Sequence, residues 1–393
     1  MDKANKVFAF VWLVIIGSDV AIANSDRIAL QGPIILAGTA YFLFIHRREL
    51  LRLLSFGDFL FAFSLLSLPV VLTLINRFFD LATVRSTERS GSFFASVALV
   101  FLVATVLSLP LDFRRTLVRA AFTIVSIATA LNLYELFIQN NRWSEAPGRS
   151  AGFYTNPNVS AEALVGYGLV VLLGRAGKLT IADFLAVSMV GVGVFTTFSR
   201  TGILLAVVLL SAAMVARTEP KHVVRVAFIA AAGAVFCLTF AFLVLQHVKL
   251  SGDAAVRIAS LIERGGIGDY EKDRGEVAMV ALNIGLEHPI LGAGLGTIFE
   301  MPVGPHNMFV AMFVDYGIFG LLAYVLVLAR LVIISWHADR KWSALLWFLA
   351  AWHVGFSFAS HNLLSDAETI PLLGFAISRA CQVKDMRRAG SYR

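Results

Sequence analysis

Residues 180–217 read TIADFLAVSMVGVGVFTTFSRTGILLAVVLLSAAMVAR, and this stretch decides the fold class. As one helix, rising about 1.5 Å per residue, it would reach roughly 57 Å, nearly twice the hydrocarbon core of about 30 Å. Its polar interruption is Ser199-Arg200-Thr201-Gly202. The stretch is therefore predicted to fold back at this turn as two membrane helices.

The composition extends this prediction to the whole chain. Of the 393 residues, 58% are hydrophobic, 15% are charged and two are cysteines. Soluble domains are usually about 45–50% apolar and about 25% charged. The values exclude a disordered chain, a disulfide scaffold and an ordinary cytosolic enzyme. They indicate an all-α, polytopic helical membrane protein.

Apolar runs of span length recur along the chain. A helix that crosses the hydrocarbon core needs roughly 17–25 predominantly apolar residues. We predict a single membrane domain over residues 1–393 with about twelve transmembrane helices. They are placed at 7–23, 28–45, 53–75, 93–111, 117–138, 159–174, 180–198, 202–217, 224–246, 306–333, 342–360 and 369–383. One long non-spanning segment, about 247–305, is predicted to be a functional extracytoplasmic loop.

Lysine and arginine residues set the predicted orientation. Of the 33 in the chain, 21 fall on one side of the predicted spans and 12 on the other. Because cytoplasmic loops carry the basic excess, the richer side and both termini are predicted to be cytoplasmic. Most of the formal charge of +7 is thus explained by orientation, so membrane lipids are expected as partners and nucleic acid is not.

The Ser199-Arg200-Thr201-Gly202 turn is the first candidate binding site. It lies at the extracytoplasmic surface in the predicted topology. Ser199 can cap the following helix, whose N-terminal amides favour anions. An arginine among free amides and the hydroxyls of Ser199 and Thr201 outlines a phosphate site. The alternative is an arginine that only snorkels to the interface.

The long loop supplies further candidates. Residues 256–264 are predicted to form a short interfacial helix, 265–276 a flexible charged segment and 276–288 a second helix. Arg274, just before that second helix and with Lys272 close by, is predicted to complete a cationic clamp on a diphosphate. The alternative is a pair of solvated loop charges.

His306 and Asn307 close the loop at the entry to the tenth predicted span. Histidine is the side chain best suited to accept a proton near neutral pH. His306 is therefore the candidate base, with Asn307 beside it as a candidate substrate ligand. The alternatives are a structural interfacial histidine, or a base at His361, which belongs to a second His-Asn pair on the same side.

Other extracytoplasmic residues have weaker signals. Asn156 and Asn158 are predicted to line the cavity as substrate-binding residues. The glycine-rich stretch 290–299 has no preceding strand and no βαβ unit, so a nucleotide-binding loop is rejected. Three alternating carboxylates are candidates for a hard-cation site, although a solvated loop is the interpretation that we favour: Asp269, Glu271 and Asp273. We predict no metal site and no cofactor.

Four stretches, in this order, resemble the O-antigen ligase and polymerase superfamily. They are GFYTNPN (152–158), TFSRTG (197–202), EHPILGAGLGTIF (287–299) and PHNMFVAMFVDYGIFGLLAYV (305–325). The resemblance covers about residues 150–335, a core that includes the loop 247–305. It implies a multi-pass protein of the bacterial inner membrane whose active site faces the periplasm.

The resemblance also implies an activity. Such a protein transfers a glycan from undecaprenyl diphosphate to an acceptor hydroxyl, in a reaction expected to be inverting and independent of metal ions. A ligase uses lipid A-core as acceptor, and a polymerase extends an O-antigen, capsule or exopolysaccharide chain; the sequence leaves both open. Arg200 matches the family's arginine of the Ser-Arg turn, Arg274 its loop arginine and His306 its His-Asn histidine. A lipid-linked sugar transporter is the competing class, disfavoured because no internal repeat is evident.

Overall fold

The computed structural model describes residues 3–20, 31–55, 57–78, 97–105, 113–138, 142–175, 177–218, 224, 269–336, 340–361, 363–364 and 366–388. The regular structure in these residues is helical, and none of the described residues forms a strand, so the predicted all-α class is confirmed for them. The helices are α1 (Lys3–Gly17), α2 (Gln31–Ile45), α3 (Arg47–Leu54), α4 (Gly57–Phe78), α5 (97–105), α6 (Phe113–Phe137), α7 (Pro157–Leu173), α8 (Ile181–Thr196), α9 (Arg200–Ala216), α10 (Asp269–Glu287), α11 (Thr297–Glu300), α12 (Met308–Trp336), α13 (Arg340–Ser357) and α14 (Ile370–Arg388).

Every predicted span except 224–246 overlaps one of these helices. That span, apart from residue 224, and the predicted interfacial helix 256–264 fall outside the described residues. Two described helices are long and apolar enough to cross a membrane by length and composition, namely Arg114–Phe137 within α6 and the whole of α12. The others are apolar but shorter, so the count of twelve spans and the orientation stay predictions.

The surface of α12 agrees with a lipid environment. Phe319, Leu322 and Leu326 follow one another at helical spacing and are 48%, 49% and 45% exposed. Soluble monomers rarely expose a wide apolar surface. A helix that presents such a stripe outward is suited to contact with acyl chains.

The chain divides into two compact units, and the first contains the Ser-Arg turn. This unit comprises Met1–Gln31, Pro110–Gly266 and Arg340–Trp352. Helix α6 is central in it and packs against α1, α7 and α8. The amide nitrogen of Asn132 on α6 donates to Ser160 Oγ on α7 (3.0 Å) and to the Gly193 carbonyl on α8 (3.2 Å). One buried amide thus joins three helices at the same level.

The second unit contains His306 and the described part of the long loop. It comprises Gly32–Leu109, Ile267–Asp339 and His353–Arg393. Helix α12 is central in this unit and packs on α4, α10 and α14. A small apolar core joins α10, α11 and α12, and it consists of Ala281, Ile298, Ala311 and Val314.

Helix α12 is interrupted at Gly317, whose φ is 63° and ψ is −158°. In an uninterrupted helix the Ile318 N–H would donate to the Val314 carbonyl. Here Ile318 donates to the Pro289 carbonyl (2.9 Å), and the Val314 carbonyl accepts from Ala293 (2.7 Å). The segment between α10 and α11 therefore supplies both missing partners, and the peptide groups at the break stay hydrogen-bonded.

Candidate active site

Three helices are each preceded by a non-glycine residue with positive φ. Thr155, Phe198 and His306 have φ of 56°, 50° and 47°. Such values are uncommon outside glycine and cost of order 1–3 kcal/mol each. Each residue directly precedes the capping residue of a helix, and each belongs to one of the sequence stretches on which the family resemblance rests.

The capping residues are three of the predicted substrate ligands. The side-chain oxygens of Asn156, Ser199 and Asn307 all accept backbone N–H groups from the first turn of the following helix. These bonds are Asn158 N to Asn156 Oδ1 (2.9 Å), Gly202 N to Ser199 Oγ (3.3 Å), and Phe309 N and Val310 N to Asn307 Oδ1 (2.9 and 3.2 Å). A cap is typically worth about 1 kcal/mol. Each of the three oxygens thus has a structural task.

The Ser-Arg turn separates two helices, as the sequence predicts. Helix α8 ends at Thr196 and α9 begins at Arg200, so the apolar stretch 180–217 is interrupted where the polar residues lie. Ser199 is buried, Arg200 is exposed and Thr201 is half-buried. The guanidinium of Arg200 is therefore presented at the surface of the first turn of α9, where backbone amides favour an anion.

The predicted ligand Asn158 is engaged by an arginine that sequence analysis did not select. Arg149 donates from Nη2 to Asn158 Oδ1 (2.8 Å) and from Nε to the Thr197 carbonyl (2.8 Å). The N–H of Ser150 also donates to the Thr196 carbonyl (3.1 Å). Residues 149 and 150 thus fasten the end of α8 to the first turn of α7.

A buried carboxylate holds the loop that carries Arg149. Glu135, fully buried near the end of α6, accepts four backbone N–H groups. Trp143 (2.9 Å) and Ser144 (2.7 Å) donate to Oε1, and Ala151 (2.8 Å) and Gly152 (2.9 Å) donate to Oε2. A signal for Glu135 was present in the sequence, because an acidic residue within an apolar run is a functional candidate by default.

His306 and the rival base His361 lie together in the second unit. Their ring centroids are 5.3 Å apart with an interplanar angle of 73°, and Phe299 lies 6.3 Å from the His361 ring. The His361 ring packs against the backbone of Gly304, where a Cβ would overlap it. Burial, and secondarily the charge of His306, lowers the pKa of His361 from 6.5 to about 4. His361 is therefore neutral near pH 7.

The glycine-rich stretch 290–299 forms a tight structural turn. The carboxylate of Asp315 on α12 accepts the N–H of Gly296 (3.0 Å) and of Ile298 (3.3 Å). Gly292, with φ of 81°, packs so closely on the Asp315 backbone that a Cβ there would overlap it. The stretch is thus bound to α12, which agrees with rejecting a nucleotide-binding loop. Sequence analysis did not select Asp315, because its partners lie about 20 residues away along the chain.

The loop arginine lies inside a helix. Helix α10 begins at Asp269, so the prediction of a flexible segment over 265–276 with a helix only from residue 276 is wrong for residues 269–275. Lys272 and Arg274 lie in the first turns of α10, and their side chains fall outside the described part of the structure. Arg274 belongs to the second unit and Arg200 to the first.

No metal cluster is present in the described residues. Within the ranges given above, no group of three or more His, Cys, Asp or Glu side chains is placed to hold a metal ion. The side chains of the candidate hard-cation ligands Asp269, Glu271 and Asp273 fall outside those ranges. The absence of a metal site stays a prediction.

Comparison with known proteins gives a match to one region of the chain, which contains several of the features described above. A family model described as O-antigen ligase matches residues 184–325, from the start of α8 to the middle of α12. The match includes the Ser-Arg turn, the long loop and the His306-Asn307 pair, and it begins after Asn156 and Asn158. No curated protein matches the chain. Proteins of this family reside in the bacterial inner membrane. The match confirms, over residues 184–325, the resemblance to the O-antigen ligase superfamily that was drawn from the sequence.

Proposed function

We propose that this protein is a glycosyltransferase of the O-antigen ligase type. It passes a glycan from undecaprenyl diphosphate to a hydroxyl of lipid A-core at the periplasmic face of the inner membrane. The observation that carries the proposal is Arg200, exposed on the first turn of α9 within the region that matches the O-antigen ligase family.

Two arginines bind the diphosphate of the donor in this proposal. Arg200 and Arg274 hold the diphosphate, with Thr201 and Lys272 beside them, and stabilise the negative charge that grows on it as it leaves. The buried hydroxyl of Ser199 contributes indirectly, because it caps the helix whose amides face the anion. Loss of one such donor group is expected to cost about 3–4 kcal/mol, or roughly 10²–10³ in rate.

His306 is the proposed general base for the acceptor hydroxyl. Its imidazole takes the proton of the acceptor hydroxyl while the hydroxyl oxygen attacks the anomeric carbon. The bond from that carbon to the diphosphate oxygen breaks on the opposite face, and the diphosphate leaves with the electron pair. This geometry inverts the anomeric centre. General-base catalysis of this kind is typically worth about 10²–10⁴.

The charge of the leaving diphosphate is balanced by guanidinium groups, so the proposal includes no metal ion. An EDTA titration tests this part. Transfer that continues at an unchanged rate supports the arginine clamp. Transfer that stops with EDTA and returns with added Mg²⁺ contradicts it and restores the hard-cation site at Asp269, Glu271 and Asp273.

A deletion strain tests the acceptor. Lipopolysaccharide reduced to bare core, with carrier-linked glycan accumulating on the outer face, is the result expected of a ligase. Core that carries single repeat units, or loss of capsule or exopolysaccharide, would instead identify a polymerase of the same superfamily. Carrier-linked glycan accumulating on the inner face would identify a transporter.

A single substitution tests the site itself. Arg200→Ala, expressed in the deletion strain at the wild-type protein level, is expected to lose transfer roughly 10²–10³-fold. Arg142→Ala is the matched control, because Arg142 lies on the same predicted side and its guanidinium stacks on Trp143 at 5.1 Å. Wild-type glycan from Arg200→Ala would overturn the proposal.

A further inference from the structure

Arg149 forms a clasp over the Ser-Arg turn. We define the Arg149 clasp as the two hydrogen bonds from its guanidinium, to Asn158 Oδ1 and to the Thr197 carbonyl, both 2.8 Å. Thr197 is fully buried and lies three residues before Arg200. The clasp therefore fixes the peptide group between Thr197 and Phe198, at the start of the turn that leads into α9.

The turn downstream of the clasp has little freedom of its own. Phe198 has left-handed backbone with φ of 50°, a conformation that a bulky residue keeps only when its surroundings enforce it. The N–H of Ser199 donates to Thr197 Oγ1 (3.2 Å), so the buried Thr197 is also a hydrogen-bond partner of the capping residue. A displacement of Thr197 would therefore be transmitted to Ser199 and to the first turn of α9.

Glu135 places the clasp. Its carboxylate binds amides from both ends of the loop that carries Arg149, at residues 143–144 and at residues 151–152. The carboxylate is fully buried, and four amide donors compensate its charge. The loop is thus closed on α6, and α6 is the central helix of the first unit.

We propose that Arg149 and Glu135 are positioning residues for the transfer reaction: the clasp, held by the Glu135 carboxylate, sets the direction in which Arg200 meets the donor diphosphate. This inference rests on the proposed function, because it assigns a supporting role to groups that act through Arg200. Neither residue is required to touch the substrate.

The clasp needs a forked donor. A guanidinium offers several N–H groups in a fixed plane and can hold an amide oxygen and a carbonyl together, whereas an ammonium is a compact point charge on a flexible stem. Arg149→Lys therefore keeps the charge and loses the two-point geometry. Misplacement of a reactive group by about 1 Å can cost roughly 10²-fold in rate.

The first test is kinetic. The purified full-length protein is assayed with undecaprenyl-diphosphate-linked glycan as donor and lipid A-core as acceptor. Arg149→Lys is expected to lower kcat roughly 10–100-fold while the KM for the acceptor stays within about twofold. Arg142→Lys, on the same loop, is the matched control and is expected to keep the wild-type kcat. A wild-type kcat in Arg149→Lys would overturn the inference.

A double-mutant cycle separates positioning from general stability. Because Arg149 acts through Arg200, adding Arg149→Lys to Arg200→Ala is expected to cause no further loss. Losses that multiply would show that Arg149 acts elsewhere, and they would overturn the inference while leaving the proposed function intact. Arg200→Ala with a wild-type rate would instead overturn the proposed function.

A second double-mutant cycle combines Glu135→Gln with Arg200→Ala and tests the carboxylate that holds the loop. The amide has one oxygen to accept the N–H groups that two carboxylate oxygens accept now, so part of the loop is released. Its loss of kcat is also expected to vanish in the Arg200→Ala background. Should Arg149→Lys fail to accumulate, the Glu135→Gln cycle decides, and multiplying losses there would overturn the inference.

Discussion

The rings of His306 and His361 meet edge to face, with centroids 5.3 Å apart. One histidine precedes α12 and the other follows α13, so residues about 55 positions apart in the chain form one pair. Both residues are half-buried; His306 has a positive φ of 47°, and the His361 ring is packed on the backbone of Gly304. In the proposed reaction His306 takes the acceptor proton, and His361 is the ring packed beside it.

The two histidines are expected to differ in their effect on catalysis. His306→Ala is expected to lower the transfer rate about 10²–10⁴-fold, because it removes the proposed base. His361→Gln keeps a neutral polar group in the packed position and is expected to cost less. Transfer assays on both variants at matched protein levels check this, and a larger loss in His361→Gln would move the base to His361.

The lowered pKa of His361 predicts a pH dependence of stability. Its pKa is lowered from 6.5 to about 4, so below pH 6.5 the unfolded chain binds a proton that the folded chain does not. This contribution is fully present above pH 6.5 and is lost as the pH falls toward 4, about 2 kcal/mol between pH 6.5 and 5. Melting curves in detergent for the wild type and His361→Gln check it, and the gap between them should narrow or reverse on acidification.

Glu368 also changes stability in this pH range, so the wild type has to be compared with His361→Gln at each pH. Burial raises the pKa of this carboxyl to about 7, so its contribution falls as the pH rises from 4.5 to 7, opposite in sign to that of His361. The wild-type stability curve alone therefore does not isolate the contribution of His361, and the difference between the wild type and His361→Gln is the quantity to compare. Parallel curves for the wild type and His361→Gln over pH 5–7 would contradict the prediction.

Asn307 is expected to act chiefly as a helix cap. Asn307→Asp retains an oxygen that can accept from Phe309 and Val310, and it is expected to keep near-wild-type stability. Asn307→Ala is expected to cost about 0.5–2 kcal/mol. Melting temperatures and transfer rates measured on both variants check this. Loss of transfer in a stable Asn307→Asp would point instead to direct binding of substrate by the amide.

Asp315 is expected to hold the glycine-rich turn on α12. Asp315→Asn leaves one oxygen for the N–H groups of Gly296 and Ile298, one of which then lies buried without an acceptor. The expected cost is about 1–3 kcal/mol. Glu300→Gln is the control, because Glu300 is an exposed acidic residue at the end of α11. Equal melting temperatures for the two variants would argue against this role.

The places of Arg200 and His306 could be predicted from the sequence, because each lies where polar residues interrupt a long apolar run. Helix α9 begins at Arg200, and α12 begins two residues after His306. The positive φ of Phe198 and of His306, and the hydrogen-bond partners of the two turns, could not be predicted. The hydrogen bond from Arg149 to the Thr197 carbonyl joins residues nearly 50 positions apart, and no local pattern encodes that contact.

The start of α10 was mispredicted for a different physical reason. Residues 269–275 carry charges and a glycine but no apolar period, and an apolar period is the main sequence signal for a helix. Sequence analysis did not select Arg149 or Asp315, whose partners are mainly backbone groups, and it passed over Glu135 although an acidic residue within an apolar run is a signal. A backbone N–H or carbonyl has no residue type, so such partners leave no signature in a single sequence.

The break at Gly317 has a consequence for the permitted length of the chain. The N–H of Ile318 and the carbonyl of Val314 each take a partner from the segment 289–293. One residue inserted there would shift Pro289 or Ala293 out of register and leave polar groups buried. The number of residues between Pro289 and Ala293 is therefore fixed by these two hydrogen bonds. Insertions and deletions in this part of the chain therefore have to lie outside residues 289–293.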